Sequence, residues 1–323
     1  MKYNSLGDTG IKASSLCMGT MTFGKEADHA TSAAIFHRCR EAGINFFDCA
    51  DVYAEGEAER ILGELIADCR DQVIISSKVS GKIGADINAK GSSRRHIMNA
   101  VEASLRRLKT EYLDLYFLHH FDPETALEET LCALDDLVHQ GKVLYLGASN
   151  FAAWQVMKAL SLSALHGWQP FSCLQPMYNL VKRQAEVEIL PMAQAELLGV
   201  VTYSPLGGGL LTGKYPANHQ FQDGRFATNP MYQRRYGEDW MYDVAHQFID
   251  VAQECGVHPA CLAIAWVASH PAVTAPIIGA RNIEQLNVQL AAADFSMAPE
   301  LYDRLCSLSP TPPPANDRTD EAR

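Results

Sequence analysis

Three short apolar runs decide the fold: Ile44-Asn45-Phe46-Phe47-Asp48, Val73-Ile74-Ile75-Ser76-Ser77-Lys78 and Leu113-Asp114-Leu115-Tyr116-Phe117-Leu118-His119. Each run has the length and composition of a buried strand, and each ends in a titratable side chain. The same pattern recurs along the chain and predicts strand ends near Gly19, Asp48, Lys78, His119, Ser149, Gln175, Tyr203 and Gly279. Because helical stretches separate these strands, the sequence predicts an α/β protein with a parallel sheet, closed as a (β/α)₈ TIM barrel.

The intervening helices have recognisable ends. They are predicted over Ala30–Ala42, Ser93–Leu108, Leu127–Gln140, Ala152–Leu160 and Ala185–Leu197. Gly43 and Gly141 follow two of these helices, which is the usual place of a C-terminal glycine. Asn150, just after a strand, is predicted to be the N-cap of the next helix.

The two ends of the chain depart from the repeat. Residues 2–13 read as a β-hairpin around Gly7-Asp8-Thr9-Gly10. After Tyr203 the last unit is long, with a polar and aromatic loop over 216–239 and extra helices near Met241–Cys255 and Pro259–Ser269. We expect one barrel domain over residues 1–308 and a disordered, Pro-rich tail over 309–323.

Composition excludes several classes of protein. The chain has 323 residues, with 27 Lys and Arg against 38 Asp and Glu, so its net charge of −11 argues against a nucleic-acid or anionic-membrane partner. Its nine cysteines are scattered, without a Cys-x-x-Cys pair, as expected of reduced thiols. No signal peptide or membrane-length apolar run is visible. These features predict a cytoplasmic protein, and none of them indicates oligomerisation.

Four side chains suggest proton transfer: Asp48, Tyr53, Lys78 and His119. In a barrel the strand C-termini meet at one face, so groups far apart in sequence converge there. Lys78 would lower the pKa of the Tyr53 phenol, and Asp48 would hold Lys78 charged. Any one of these residues alone is more often structural than catalytic, so only the set points to function. Strand alternation would turn His120 to the opposite face, and we therefore expect it to be non-catalytic.

Polar strand ends on the other half of the barrel suggest a cofactor. Ser149, Asn150 and Gln175 offer donors and acceptors suited to a carboxamide, and Tyr203 offers a flat face for stacking, although loop capping is an alternative role. Beyond them, the cations Lys214 and Arg281 follow glycine-rich turns, where phosphate is bound in many barrels; solvated surface charges are the alternative.

Three other interpretations of the sequence are excluded. Tyr215 spoils a P-loop match at Gly208–Lys214, and the Rossmann glycine motif and metal-ligand spacing are both missing.

Over roughly residues 1–308 the chain resembles the aldo-keto reductase superfamily. The motifs that carry the resemblance, in the family's order, are Gly19-Thr20-Met21, Asn45–Tyr53, Ser76-Ser77-Lys78, Leu113–His119, Gly147–Phe151, Leu174–Asn179, Tyr203–Leu206, Gly213-Lys214-Tyr215 and Ile277–Leu286. The resemblance implies a catalytic tetrad of Asp48, Tyr53, Lys78 and His119, with the tyrosine as general acid. It also implies that NADP(H) is bound in an extended form.

The resemblance assigns most of the polar strand ends to this cofactor. Ser149, Asn150 and Gln175 would hold the carboxamide, and Tyr203 would stack on the nicotinamide. Further cofactor contacts are implied at Gly19, Thr20, Met21, Asp48, Pro205, Ser204, Leu206, Gly208 and Lys214, and, around the adenosine 2′-phosphate, at Gly279, Ala280, Arg281, Gln285 and Gln289. The implied activity is hydride transfer between nicotinamide and an aldehyde or ketone.

The substrate pocket is predicted from loop residues at the same face, most of them aromatic. The candidates are Phe23, Val79, Phe121, Phe226, Tyr232 and Trp240. Arg225, Arg234 and Arg235 could attract an anionic substrate, hold the cofactor or face water. Two other classes stay open: a redox-sensing subunit with little turnover, like the barrel subunits of potassium channels, and an isomerase or hydrolase that uses the same acid–base residues. The sequence identifies neither the substrate nor the oligomeric state.

Overall fold

The computed structural model describes residues 1–215 and 224–318. Eight parallel strands close into a barrel in the order β10-β3-β4-β5-β6-β7-β8-β9. They are β3 Cys17–Gly19, β4 Phe46–Asp48, β5 Ile74–Val79, β6 Leu113–Leu118, β7 Val143–Ser149, β8 Phe171–Gln175, β9 Gly199–Thr202 and β10 Ala275–Ile278. The predicted α/β barrel is confirmed, and every predicted strand end lies within one residue of the observed one.

An N-terminal hairpin covers one end of the barrel, as predicted. Its strands, β1 Tyr3–Ser5 and β2 Lys12–Ser14, pair antiparallel. Leu6 beside the turn is fully buried and packs with Phe46, Leu115 and Phe117 in the barrel interior. Burial of these apolar side chains closes the end of the barrel opposite the strand C-termini, so the open end is the one where polar residues collect.

Twelve helices pack around the strands within the described residues. They are α1 His29–Glu41, α2 Glu57–Leu65, α3 Arg94–Leu108, α4 Leu127–His139, α5 Ala153–His166, α6 Ile189–Ala195, α7 Gly224–Thr228, α8 Pro230–Arg235, α9 Asp239–Glu254, α10 Pro259–Ala268, α11 Ile283–Leu290 and α12 Pro299–Ser307. Between helices and strands lies the larger hydrophobic core, which includes Phe36, Phe47, Tyr116 and Trp266. Alternate strand residues therefore fill two layers, one inside the barrel and one outside.

Most predicted helix ends are close to the observed ones, and three predictions are wrong. The helix predicted to end at Leu160 continues to His166, because Gly167 rather than a residue within the apolar pattern ends it in a left-handed conformation. The helix predicted over Ala185–Leu197 shrinks to Ile189–Ala195, preceded by a 3₁₀ turn. Asn150 is not an N-cap: Ala152 occupies that position, and Asn150 has φ +58°.

The long segment after β9 contains more structure than predicted. Residues 216–223 of the predicted 216–239 loop lie outside the described residues, but the short helices α7 and α8 follow them. Helices α9 and α10 match the two extra helices expected near the C-terminus. Of the predicted tail, residues 310–318 form neither helix nor strand, and 319–323 lie outside the described residues.

No single described helix has both the length and the apolar character needed to cross a membrane. The pair α9 and α10 meets that test together, by length and composition alone, with a bend of 100° between them.

Candidate active site

A cavity of about 880 Å³ opens at the C-terminal ends of the barrel strands. Its size is in the range of cofactor and ligand pockets. The predicted site residues that line it are Gly19, Met21, Asp48, Tyr53, His119, Ser149, Asn150, Gln175, Tyr203, Ser204, Pro205, Leu206, Gly208, Lys214, Gly279, Arg281, Gln285 and Gln289. Residues from seven of the eight strand ends, or from the loops after them, therefore share one cleft. The exception is β5, whose Lys78 is fully buried behind the cavity wall.

A buried ion pair forms the floor of this cleft. Lys78 on β5 is fully buried, and its Nζ donates to Asp48 Oδ2 at 2.5 Å and to the Cys49 carbonyl at 2.7 Å. The other carboxylate oxygen of Asp48 accepts hydrogen bonds from Ser76 and Gln175. Burial opposes the charged form of Lys78, but the combined effect of Asp48 and its other neighbours is larger, so the Lys78 pKa is raised and the ammonium persists.

The Tyr53 phenol lies directly above this pair. Lys78 Nζ is 3.4 Å from Tyr53 Oη, within hydrogen-bonding reach. The expectation that Lys78 lowers the Tyr53 pKa is correct for that one interaction and wrong for the total. Burial, the largest effect, raises the Tyr53 pKa to about 12, because a phenolate loses more hydration than Lys78 restores. In this state of the cleft Tyr53 is a neutral phenol, which is the form that can donate a proton.

His119, just after β6, lies beside the ring of Tyr53, which follows β4. The two rings meet edge to face with centroids 6.0 Å apart. Burial, with further contributions from Lys78 and His120, lowers the His119 pKa to about 2, so the imidazole is neutral. His119 Nδ1 is buried, and no described residue hydrogen-bonds to it. A neutral imidazole beside a phenol can hydrogen-bond a substrate oxygen without competing for its proton.

Three polar side chains lie opposite the tetrad and are called the polar shelf: Ser149, Asn150 and Gln175. Ser149 donates to the Gln175 carbonyl at 2.9 Å, and Asn150 Nδ2 donates to the His119 carbonyl at 2.8 Å. Asn150 Oδ1 accepts a hydrogen bond from the Tyr203 hydroxyl at 2.7 Å. The left-handed conformation of Asn150 is uncommon for a residue other than glycine, and such strain is typical of ligand-contacting positions. These bonds hold the shelf in place at the wall of the cleft.

The segment after β9 brings backbone close to the cleft. Gly208 has φ +68°, and a Cβ there would lie 2.7 Å from the Tyr232 ring. Only glycine therefore fits between the cavity and α8. Gly208 belongs to a 3₁₀ stretch, Gly207–Thr212, that follows Ser204, whose φ is +60°. Such tightly turned backbone presents N–H groups and suits an anionic ligand.

A cation lines the cavity just before α11. Arg281 lies next to the N-cap Asn282 and is exposed without a carboxylate partner among the described residues, although Glu26 and Glu284 also line the cavity. Gln285 accepts from the Arg281 N–H, and Gln289 bonds both backbone polar groups of Gly279. A helix N-terminus beside an unpaired guanidinium is a setting for phosphate.

Some predicted site residues lie behind the cavity wall. Thr20 donates to the Asp48 carbonyl and so supports the strand end, while the Ala280 carbonyl accepts from Thr22. Of the substrate residues predicted from sequence, Tyr232 lines the cavity and the others do not. Phe23, Val79 and Phe226 are fully buried in the core, Phe121 packs edge to face on Phe151, and Trp240 donates to Glu238. Loop aromatics were sites of packing here, which is their commoner role.

Several cavity residues were not expected from the sequence. His120 lines the cleft and stacks on His119 with ring centroids 4.8 Å apart, because β6 ends at Leu118 and strand alternation no longer applies. Other unexpected members are Thr22, Glu26, Met231, His258 and Glu284. Of the three arginines considered, Arg235 lines the cavity, Arg234 is exposed elsewhere, and the Arg225 side chain lies outside the described residues. No local sequence signal marks these positions.

No group of three or more metal-ligating side chains occurs in the described part of the chain. The cleft itself offers a phenol and an imidazole with a buried ammonium behind them, and its Arg281 suits an anionic cofactor.

Comparison with known proteins bears on that chemistry. A model of the aldo/keto reductase family matches residues 15–309. The chain is 36% identical over 324 residues to an uncharacterized oxidoreductase, YrpG, of Bacillus subtilis (strain 168), covering 97% of each. It is 37% identical over 315 residues to a probable voltage-gated potassium channel subunit beta of Oryza sativa subsp. japonica, covering 94% of this chain and 95% of that protein.

A more distant relative has a named reaction. The chain is 29% identical over 326 residues to versiconal hemiacetal acetate reductase of Aspergillus parasiticus, covering 93% of this chain and 94% of the relative. Together the matches support an oxidoreductase. With the eight-stranded barrel and a family model that spans nearly the whole sequence, they show that this chain belongs to the aldo/keto reductase family.

Proposed function

We propose that this protein is an NADP(H)-dependent carbonyl reductase, with Tyr53 as its general acid. The observation that carries the proposal is the buried Lys78 ammonium, which contacts both the Asp48 carboxylate and the Tyr53 hydroxyl at the floor of the cleft. This arrangement holds a neutral phenol beside a positive charge at the place where barrel enzymes carry out their chemistry.

Each side chain of the tetrad has one task. The bound nicotinamide would supply hydride to an aldehyde or ketone carbon. Tyr53 would donate a hydrogen bond and then its proton to the carbonyl oxygen, and Lys78 would stabilise the resulting phenolate. His119, neutral and beside Tyr53, would orient the same oxygen. Asp48 would keep Lys78 charged and in place.

The cleft also fits the proposed cofactor. It is lined both by the shelf of Ser149, Asn150 and Gln175 and by the cation Arg281. The amide and hydroxyl groups of the shelf suit a carboxamide, and the tightly turned Gly208 segment suits a diphosphate. Arg281 favours NADP(H) over NAD(H), because only the former carries a phosphate on the adenosine ribose.

The proposal predicts tight NADPH binding and consumption of NADPH with carbonyl compounds. Quenching of tryptophan fluorescence measures binding, and absorbance of the reduced cofactor measures turnover over a panel of aldehydes and ketones, with NADH in parallel. Arg281→Gln should weaken NADPH binding roughly tenfold or more and leave NADH binding unchanged. The distant, exposed Arg304→Gln serves as control. Absence of NADPH binding would overturn the proposal.

A second candidate is a nicotinamide-binding subunit of a larger assembly, with little turnover. It is supported by the relative named a probable potassium channel subunit beta, to which this chain is 37% identical. The two candidates share cofactor binding and differ in turnover. NADPH binding without consumption by any member of the carbonyl panel would favour the subunit. Steady turnover that Tyr53→Phe abolishes would favour the reductase.

A further inference from the structure

The cavity contains a cation that the proposed reaction does not use. Arg235, the last residue of α8, is half-buried and lines the cleft, as do Met231 and Tyr232 on the same helix. Its neighbour Arg234 is exposed and does not line the cavity. Helix α8 thus turns one arginine toward the cleft and the other toward solvent.

Arg235 has no counter-charge within the described residues. Its guanidinium lies 5.8 Å from the Tyr232 ring centroid and contacts the Met231 sulfur at 3.7 Å. The described carboxylates form no ion pair with it. A partly desolvated guanidinium with neither carboxylate nor carbonyl acceptor is unfavourable, and it gains most from an anion that can accept its paired N–H donors.

The position of Arg235 places this charge at the reacting end of the cleft. His119 stacks on His120 with ring centroids 4.8 Å apart, and Tyr53 meets His119 at 6.0 Å. Arg235 and His120 both line the cleft, and after burial the Arg235 charge lowers the His120 pKa. Arg281 lies between β10 and α11, at another part of the cavity wall.

We propose that Arg235, with His120 beside it, forms an anion subsite that selects carbonyl substrates bearing a carboxylate or phosphate near the reacting carbon. The inference rests on the proposed reductase function. Arg235 would pair with the anion, His120 would offer a further hydrogen-bond donor, and the tetrad would receive the carbonyl oxygen.

Pairs of substrates that differ in one charge test this subsite. The carboxylate pair is 4-formylbenzoate and its methyl ester; the phosphate pair is glyceraldehyde 3-phosphate and glyceraldehyde. The natural protein should prefer the charged member of at least one pair in kcat/KM. Arg235→Gln should reduce kcat/KM for that member roughly 10- to 100-fold and for the neutral member less than about threefold. The pair that responds identifies the anion.

Two variants serve as controls. Arg234→Gln removes the same charge from the exposed face of α8 and should leave both members of each pair within about twofold. Arg235→Lys keeps the charge and should restore part of the lost preference. An equal loss on charged and neutral substrates, or weaker NADPH binding by Arg235→Gln, would overturn the subsite and make Arg235 a cofactor contact.

Binding measurements keep the inference testable without turnover. Calorimetric titration of 4-carboxybenzoate and of inorganic phosphate into the NADP⁺ complex should show binding that Arg235→Gln weakens and Arg234→Gln does not. If the natural protein reduces neutral carbonyls but ignores charge in every arm, the subsite fails while the reductase function stands. If NADPH does not bind at all, the reductase function itself fails.

Discussion

Asp48 and Asp51 are buried carboxyl groups on one short segment, and their surroundings differ sharply. Asp48 is 2% exposed and Asp51 is 0% exposed. Asp48 accepts hydrogen bonds from Ser76 and Gln175 and pairs with Lys78. Neither carboxyl oxygen of Asp51 has a partner among the described residues. Equal burial therefore gives one fully satisfied carboxylate and one isolated acid.

Charged side chains also lie near Asp51, but they pair with each other rather than with Asp51. Arg107 pairs with Glu59 at 2.6 Å, and Ser77 donates to the same carboxylate at 2.5 Å. Asp51 faces a cavity of about 130 Å³ together with His96. Burial, and then the Glu59 charge, raises the Asp51 pKa to about 7, against a smaller opposing effect of Arg107. The comparison teaches that partner geometry, rather than depth, decides whether a buried acid supports chemistry.

The largest expected effect comes from removing the Tyr53 hydroxyl, which contacts Lys78, the partner of Asp48. Tyr53→Phe should lower turnover by about 10²- to 10⁴-fold, because the general acid is lost, while NADPH binding is kept. Tyr116→Phe is the matched control, since the Tyr116 hydroxyl is buried near Asp51 and no described residue hydrogen-bonds to it. Steady-state kinetics should find that control within about twofold of the natural protein. Undiminished turnover by Tyr53→Phe would remove the general-acid role.

The second largest effect is expected from breaking the ion pair of Asp48 and Lys78. Asp48→Asn leaves the fully buried Lys78 without its counter-charge, which should cost about 3 kcal/mol of unfolding free energy and also slow turnover. Urea denaturation at neutral pH measures the loss. A change below about 1 kcal/mol would mean that the pair contributes charge placement to the site but little to stability.

Asp51→Asn should raise the unfolding free energy at pH 8, which is the opposite of the effect expected for Asp48→Asn. The folded-state pKa of Asp51, about 7, is above its usual 3.8, so the native state keeps a proton that the unfolded chain has released. The stability that this proton contributes is complete below about pH 4 and is lost as pH rises through 7, at about 1.4 kcal/mol per pH unit between.

Asparagine cannot lose that proton, so the variant should be more stable than the natural protein at pH 8 and similar at pH 4. Urea denaturation at several pH values measures the difference. Parallel stability curves for the two proteins would contradict the assignment.

The smallest effect is expected where the same kind of charge pair faces water. Arg304 and Glu254 are 2.6 Å apart, with side chains 49% and 57% exposed. Arg304→Ala should change the unfolding free energy by less than about 0.5 kcal/mol, and added salt should reduce even that. A loss as large as that of Asp48→Asn would show that exposure does not separate these two pairs.

Much of this arrangement could be predicted from local sequence. The apolar runs around Phe47, Ile75 and Phe117 fixed the strands, and the polar residue that ends each run placed Asp48, Lys78 and His119 at one face. The cleft residues Ser149, Gln175 and Arg281 followed from the same rule. Strand-end prediction succeeds because the period of a strand and the parallel arrangement of a barrel are local and repetitive.

Other features could not be read in this way. The Asn150 conformation depends on bonds to His119 and Tyr203, which are remote in sequence. Of the predicted substrate residues, Tyr232 lines the cavity whereas Phe23 and Phe226 do not, because an aromatic loop residue packs into the core as readily as it lines a pocket. His120 entered the cleft because its strand ends one residue before His119. The Asn150 conformation, the packing of the loop aromatics and the end of β6 all depend on residues that are remote in sequence.

The sequence by itself determined the eightfold strand–helix repeat, the hairpin and the placement of Asp48, Tyr53, Lys78 and His119 at one end of the barrel. Tertiary structure decided how those residues behave. It raised the Tyr53 pKa above that of free tyrosine, paired Lys78 with Asp48 rather than with Asp51, and turned Arg235 toward the cleft. The physical reason is that hydrophobic periodicity is encoded along the chain, whereas desolvation and charge pairing depend on distances between groups that only folding brings together.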